Sequence, residues 1–306
     1  MLTHTQLRPK PAAFRSLTGL TLPQYEQLCR EVATRYAAAE AARLTRPHRQ
    51  RDRGAGRKYK LSLEDRLLLA LIWLRVYPTY EVLSLLFDLD KGAVCRNLDR
   101  MLSVLRQVTA VDLAWPADDQ RKRRWADLLT DFPDVVAIID ATEQRIQRPT
   151  GPAAQKPYYS GKKKTHTLKT QVQIAPDGGL QAVSDSVPGS VHDLTLLRQS
   201  GTLERLEAGA AMFDSGYQGV QKDAPERQFY HPFRASRGHP LTAEQKAWNQ
   251  LLSHFRIRVE HTLAQLKIYD VLSQVYRHRR AGYHRVFCIV AALTNRRLGF
   301  GFPQAS

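Results

Sequence analysis

Asp140, Asp214 and Glu260 are the side chains in this 306-residue chain whose surroundings point to a reaction centre. Asp140 closes Val135–Asp140, where five apolar and mostly β-branched residues read as a strand buried on both faces. Asp214 closes a second copy of the pattern, Ala210–Asp214, just ahead of Ser215, Gly216 and Tyr217. An ionised carboxylate at the edge of an apolar layer is costly unless it is paired or binds a cation. Two neighbouring strands ending this way would set two oxygen ligands at one sheet edge; either Asp alone could equally cap the turn that follows it. Glu260 lies on a later helical segment, with Arg256 and Lys267 on roughly the same face. Arg256 and Glu260 read either as a surface ion pair worth a few tenths of a kcal/mol, or as Glu260 reaching over the sheet edge to the two aspartates. Three converging carboxylates repel, and divalent cations offset that repulsion. Hard oxygen donors favour Mg²⁺ or Mn²⁺, and two ions per site, about 3.5–4 Å apart, suit phosphodiester chemistry, with Arg256 and Lys267 on flanking phosphates.

The elements that must position these residues follow from the pattern of the chain. From Asp134 it reads as strands between turns: Val135–Asp140, Gln144–Gln147, Thr165–Ile174, Leu180–Val187, Ala210–Phe213 and a short Phe229–Pro232. His192–Gln199 reads as a short crossing helix. After Leu241, Trp248, Leu251, Leu252, Phe255, Val259, Leu263 and Leu266 mark one apolar helical stripe, and a last helix falls near Tyr283–Arg297. Strands, one crossing helix, another strand and then helices predict an α/β fold, a mixed sheet with flanking helices.

An all-α region precedes it. Thr21 and Pro23 start a helix carrying Tyr25, Leu28, Val32 and Tyr36. Ser62 and Asp65 resemble a capping box for a helix running through Val76, which Pro78 interrupts. Tyr80–Phe87, the turn Asp88–Asp90 and Lys91–Val108 then form the short helix, turn and longer helix of a helix-turn-helix. Val82, Leu85, Leu86, Val94, Leu98, Leu102 and Leu105 are its expected packing set. Lys91, Arg96, Asn97 and Arg100 are its expected DNA contacts, with Arg96 and Asn97 reading bases from the first turns of the longer helix. A small helical bundle would show the same periodicity.

The net charge is +17, from 46 Lys and Arg against 29 Asp and Glu, and the usual polyanionic partner of such a chain is nucleic acid. No lipid anchor or basic amphipathic helix speaks for a membrane surface, and the longest fully apolar run, Leu67–Leu74, is too short to span a bilayer. With no signal-peptide segment at the start and 3 widely spaced cysteines, the expectation is a soluble, cytoplasmic, nucleoid-associated protein. Residues 43–60 are rich in Lys and Arg and almost devoid of apolar side chains, so they read as a linker; Arg53 and Arg57 could enter a minor groove, or the segment could be a solvated tether. Arg121–Arg124 reads as a solvated face or a phosphate contact. The expected organisation is a helical segment over 1–42, the basic linker 43–60, a helix-turn-helix domain 61–115, a connector 116–133, a catalytic domain 134–297 and a tail 298–306.

Several ordered motifs together resemble the DDE transposases of bacterial insertion sequences, in the group related to eukaryotic Harbinger elements. They are Asp140-Ala141-Thr142-Glu143 with Ile146, Arg148 and Pro149; Tyr158 through Lys164 with His166 and Lys169; Gly189 through Asp193; Asp214 through Gly219; and Arg256, Glu260 and Lys267. In that family a tyrosine often precedes the arginine by three positions, where this chain has Ser253. The resemblance implies a ribonuclease H-like catalytic domain, the first Asp on its first strand and the second after its fourth. It further implies cleavage at the terminal inverted repeats by metal-activated water, then attack of the exposed 3′-hydroxyls on target DNA. Asp140, Asp214 and Glu260 would be the catalytic metal ligands. Asp193 is either a helix-capping or supporting residue or a further ligand. Lys162, Lys163 and Lys164 would form a phosphate-contacting hairpin. Pairing two DNA ends implies at least a homodimer on DNA. The competing readings are a catalytically silent DNA-binding repressor or domesticated derivative, and a stand-alone nuclease that cuts without joining.

Overall fold

A computed structural model describes residues 1–45, 59–113, 130–206 and 209–300, without the side chains of Val111, His254 and Phe255. Arg53, Arg57 and the Arg121–Arg124 run lie outside the described residues. The chain divides into two compact units, one of Met1–Asp112, Ile268–Leu272 and Arg285–Ser306, the other of Leu113–Lys267 and Ser273–His284. Among the described residues no helix is long and apolar enough to cross a membrane.

The first unit is helical: α1 (His4–Leu7), α2 (Pro11–Thr18), α3 (Leu22–Leu44), α4 (Leu63–Val76), α5 (Tyr80–Phe87) and α6 (Lys91–Val108). Helix α4 is its axis, and Leu67–Leu74 are all buried, which explains why that run is apolar on every side. Ser62 caps α4 by accepting from the Asp65 amide at 3.1 Å. Asp65 does not return the bond; its Oδ1 accepts from the amide of His4 at 2.8 Å. Tyr77, left-handed with φ 51°, ends α4 before Pro78. The turn between α5 and α6 falls where the sequence places it, with Asp90 capping α6. The packing set needs one correction. Val82 and Leu85 are exposed, Leu85 by 83%, and Leu83 and Phe87 are the α5 residues that pack inward. The periodicity is compatible with either face, and α5 is too short for its pattern to decide between them.

The second unit is built on a seven-stranded mixed sheet: β1 (Val135–Arg145), β2 (Tyr159–Ser160), β3 (Thr165–Ile174), β4 (Leu180–Val183), β5 (Val187–Pro188), β6 (Ala210–Phe213) and β7 (Phe229–Tyr230). The path runs β2-β3-β1-β6-β7, with β4 and β5 also pairing β3. Strand β3 is antiparallel to β1, whereas β6 and β7 run parallel to it and to each other. Among the described residues the helices of this unit are the one-turn α7 (Pro152–Gln155), α8 (Asp193–Gln199), α9 (Thr202–Arg205) and the long α10 (Ala243–Lys267); α11 (Tyr283–Leu298) begins here and continues into the first unit. Ala137, Ile139, Ala211 and Phe213 pack with Leu197, Leu203 and Tyr217 in a buried cluster on one side of β1 and β6.

Two strand assignments change. The expected strands Val135–Asp140 and Gln144–Gln147 are one continuous strand, because residues through Arg145 stay paired to β3 after the partnership with β6 has ended. Asp140 is therefore inside β1, at the point where only one neighbour remains. The expected Leu180–Val187 strand is broken into β4 and β5, where Ser184 accepts from the Gln171 amide through its hydroxyl and Ser186 bonds Thr170.

Candidate active site

The last paired residues of β1 and β6 are Ile139 and Phe213. Both belong to the buried cluster, and successive strand residues point to opposite faces, so the next residues, Asp140 and Asp214, turn away from it side by side. They open into a cavity of about 490 Å³ within the second unit. Helix α10 supplies its other wall, bringing Arg256, Glu260 and Lys267, and the turn between β2 and β3 adds Lys162 and Lys163. Residues far apart along the chain thus meet at one place, with apolar Leu252, Val259 and Leu263 beneath them.

Asp140 is under electrostatic pressure here. Its carboxyl is pushed up to about 6, chiefly by burial; the Ala141 amide, donating to its Oδ1 at 2.7 Å, opposes this, Asp214 and Asp193 add to it, and Lys162 relieves it. Lys267 is held below the usual lysine range by partial desolvation and by Lys163, with Asp140 pulling the other way. Glu260 lines the cavity but accepts from Arg256 Nε at 3.2 Å, in a pair whose side chains are 67% and 60% exposed. An exposed pair at this spacing is worth about 0.3–0.5 kcal/mol, so Glu260 exchanges partners at small cost. Among the described residues, no three His, Cys, Asp or Glu side chains stand gathered as a ready metal site.

Asp193 does not line the cavity. It begins α8 beneath the turn that follows Asp214, so close to Gly216 that a Cβ there would meet its Oδ2 at 2.4 Å. Its other oxygen accepts from Lys169 Nζ at 2.7 Å; the same ammonium donates to Val191 O at 2.7 Å and stands 4.0 Å from Glu143. Glu143 in turn accepts from Thr167 at 2.7 Å. Sequence reasoning misses this partly buried Glu143–Lys169–Asp193 network; Glu143 and Lys169 are cross-strand partners in the β1–β3 register, which only the strand pairing reveals. Lys164 closes the β2–β3 turn in a left-handed conformation, φ 53°, and lies off the cavity lining.

In the helical unit the expected DNA-contacting residues divide. Lys91 pairs with Glu81 on the surface, and Arg96 stands 3.9 Å from Asp90. Arg100 donates to the Tyr59 hydroxyl at 2.8 Å. Asn97, expected to read bases, is buried instead. Its amide oxygen accepts from Arg66 Nε at 2.7 Å and its nitrogen donates to Ala93 O at 2.9 Å. Arg66 is itself buried, its guanidinium over the rings of Tyr36 and Tyr59 at 4.7 and 4.1 Å. A buried guanidinium needs acceptors, and Asn97 provides one.

Comparison with known proteins gives the family of the chain. Residues 139–295 match the family described as DDE superfamily endonuclease, and residues 59–110 match the helix-turn-helix of DDE superfamily endonuclease. A protein of Microchaete diplosiphon described as "Probable transposase for insertion sequence element IS702" is 33% identical over 74% of this chain and 78% of its own length. One from Streptomyces albus G, named for the transposase of insertion sequence element IS112, is 27% identical over 78% of this chain and 82% of its own. Protein ALP1-like of Arabidopsis thaliana is 22% identical over 65% of this chain and 46% of its own. No solved structure matches. With its endonuclease region spanning both strand aspartates and the helical glutamate, the chain belongs to the DDE superfamily endonucleases, among the transposases of insertion sequences.

Proposed function

We propose that this transposase works by cut and paste, hydrolysing DNA strands at the ends of its element and joining the exposed 3′-hydroxyls to target DNA. The observation that carries the proposal is the cavity in which Asp140 and Asp214 stand together, with Glu260, Arg256 and Lys267 on the facing helix. The mixed sheet supports a ribonuclease H-like reading of this unit, with the first aspartate on the first strand and the second just past the strand parallel to it.

DDE superfamily endonucleases generally depend on divalent metal, and the donors here fit one. Asp140 and Asp214 are hard oxygen donors whose mutual repulsion a dication offsets, and Glu260 has only an exposed ion pair to release. Mg²⁺ or Mn²⁺, two ions per site held by these three carboxylates, would supply activation of the attacking oxygen and charge compensation at the leaving oxygen. Arg256, Lys267, Lys162 and Lys163 neutralise and orient the phosphates on either side of the scissile bond. In the first step a water oxygen bonds to phosphorus as the bond to the 3′-oxygen breaks. In the second, that 3′-oxygen attacks a target phosphodiester and displaces the target's own 3′-oxygen, so one phosphodiester replaces another and no ATP is consumed. Asp193, tied to Lys169 and packed under Gly216, positions the turn that carries Asp214. The helix-turn-helix holds the terminal repeats, and two copies of the chain pair two ends.

The test is an assay with the inverted-repeat DNA that flanks the reading frame, in Mg²⁺ or Mn²⁺. Cleavage followed by strand joining is expected, with Asp140→Ala, Asp214→Ala and Glu260→Ala each abolishing cleavage and preserving binding. Binding without nicking would make the chain a repressor; cutting without joining would make it a nuclease. Nicking that survives Asp214→Ala and disappears in Asp193→Ala would transfer the second ligand to Asp193.

A further inference from the structure

At the far end of β1 from Asp140 lies a second cavity, of about 710 Å³ and also within the second unit. Arg148, Arg279 and Arg280 line it together with Tyr158, His278 and Tyr276, and none of its lining residues is acidic. A backbone bridge from Ile146 to Tyr276 ties the two segments that form it. Arg280 stacks over the Tyr158 ring at 4.5 Å, and Arg148 donates to the neutral amide of Gln155 at 3.0 Å. Among the described residues, no carboxylate pairs with any of these three arginines. Several arginines elsewhere in this protein do find carboxylates: Arg198 with Asp223, Arg285 with Asp99, Arg296 with Glu31 and Asp112. Three guanidiniums gathered in one concavity without a counter-charge, one held over an aromatic ring, make a site for phosphate oxygens.

The position says which phosphates. Strand β1 lines the first cavity with Ile138–Glu143, and Ile146, the residue just past its end, opens the second. Six residues of strand span about 20 Å, and a duplex rising 3.4 Å per base pair covers that distance in about six pairs. We propose that the Arg148–Arg279–Arg280 cavity is a second phosphate station, gripping the backbone of the same DNA about six base pairs from the scissile bond at Asp140 and Asp214. This rests on the cleavage reading of the first cavity.

The test uses the full-length chain and a fluorescein-labelled duplex of about 30 base pairs, with affinity measured by anisotropy across about 50–250 mM KCl. Removing one phosphate-binding cation lowers the slope of log affinity against log salt by about 0.9. Arg279→Gln/Arg280→Gln is expected to lower it by about 1.8 and Arg148→Gln by about 0.9, with melting temperatures unchanged. The exposed pair Lys222→Gln/Lys246→Gln, which lines neither cavity, is expected to leave the slope alone. Should the double variant destabilise the fold, Arg279→Gln alone carries the test with an expected drop of about 0.9. Wild-type slopes in the arginine variants, or an equal drop in the lysine control, would overturn the proposal. Nicking of supercoiled plasmid in Mn²⁺ runs alongside and separates the two ideas. Nicking with unchanged slopes sinks the second station and spares the active site; a reduced slope without nicking does the reverse.

Discussion

Asp140→Asn is expected to stabilise the metal-free protein while destroying its activity. The carboxyl is pushed from an ordinary 3.8 up to about 6, so ionising it at neutral pH costs the folded state roughly 3 kcal/mol relative to the unfolded chain. The sign follows from the direction of the shift. Below about pH 4 the group is protonated in both states and the penalty vanishes; it grows between about pH 4 and 6 and is complete above that. Asparagine keeps the acceptor for the Ala141 amide and removes the charge. For a unit of this size about 1 kcal/mol moves the melting temperature by 2–4 °C, so a rise of roughly 6–12 °C is the ceiling.

Thermal melts followed by circular dichroism in EDTA, near pH 4 and near pH 7.5, read this directly. The variant should melt above wild type at the higher pH and with it at the lower. Adding Mg²⁺ or Mn²⁺ at neutral pH should raise wild type and narrow the gap, because the cation binds the charged pair and not the amide. A gap of equal size at both pH values would mean that packing, not charge, distinguishes the two side chains. No gap at all would mean that Asp140 is not electrostatically strained, and the repulsion argument for a metal would fail with it.

Glu260→Gln should leave stability within about 0.5 kcal/mol of wild type, since it removes only an exposed pair with Arg256, yet abolish plasmid nicking. Lys169→Met leaves a buried Glu143 and a partly exposed Asp193 without their cation and should cost about 1–3 kcal/mol, measured by urea unfolding; no measurable cost would mean water already satisfies the pair. Gly216→Ala drives a methyl group to within 2.4 Å of the Asp193 carboxylate and should reduce nicking more than DNA binding. Asn97→Ala strips Arg66 of an acceptor and should destabilise the helical unit by about 1–3 kcal/mol; weakened sequence preference at wild-type stability would instead restore Asn97 to base reading.

How far these residues are legible from the sequence depends on how local their signals are. The helix boundaries around the turn Asp88–Asp90, strand β3 and strand β6 are written in short-range periodicity and capping, and they fall where the sequence places them. Asp140 and Asp214 are visible because each ends an apolar run. That β1 continues to Arg145 is not, because its second half pairs on one side only and carries buried polar side chains such as Thr142 and Gln144. Asn97 shows the limit most clearly. On its own helix it is a polar residue beside Arg96 and Arg100, and only Arg66, 31 positions earlier, explains why it turns inward.

The same limit explains the difference between the two acidic groups of the second unit. Asp193 and Glu143 share the Lys169 ammonium, at 2.7 and 4.0 Å, which offsets much of their charge. Asp140 is pushed up to about 6, chiefly by burial, with Asp214 adding to the rise and Lys162 only partly relieving it. A fold that pairs one set of carboxylates and leaves Asp140 raised beside Asp214 in a cavity supports the proposed reading of that pair as cation ligands. Glu260, solvated and loosely held by Arg256, completes the contrast: the proposed role as a ligand that joins and leaves a reacting centre needs a side chain not locked into a buried network.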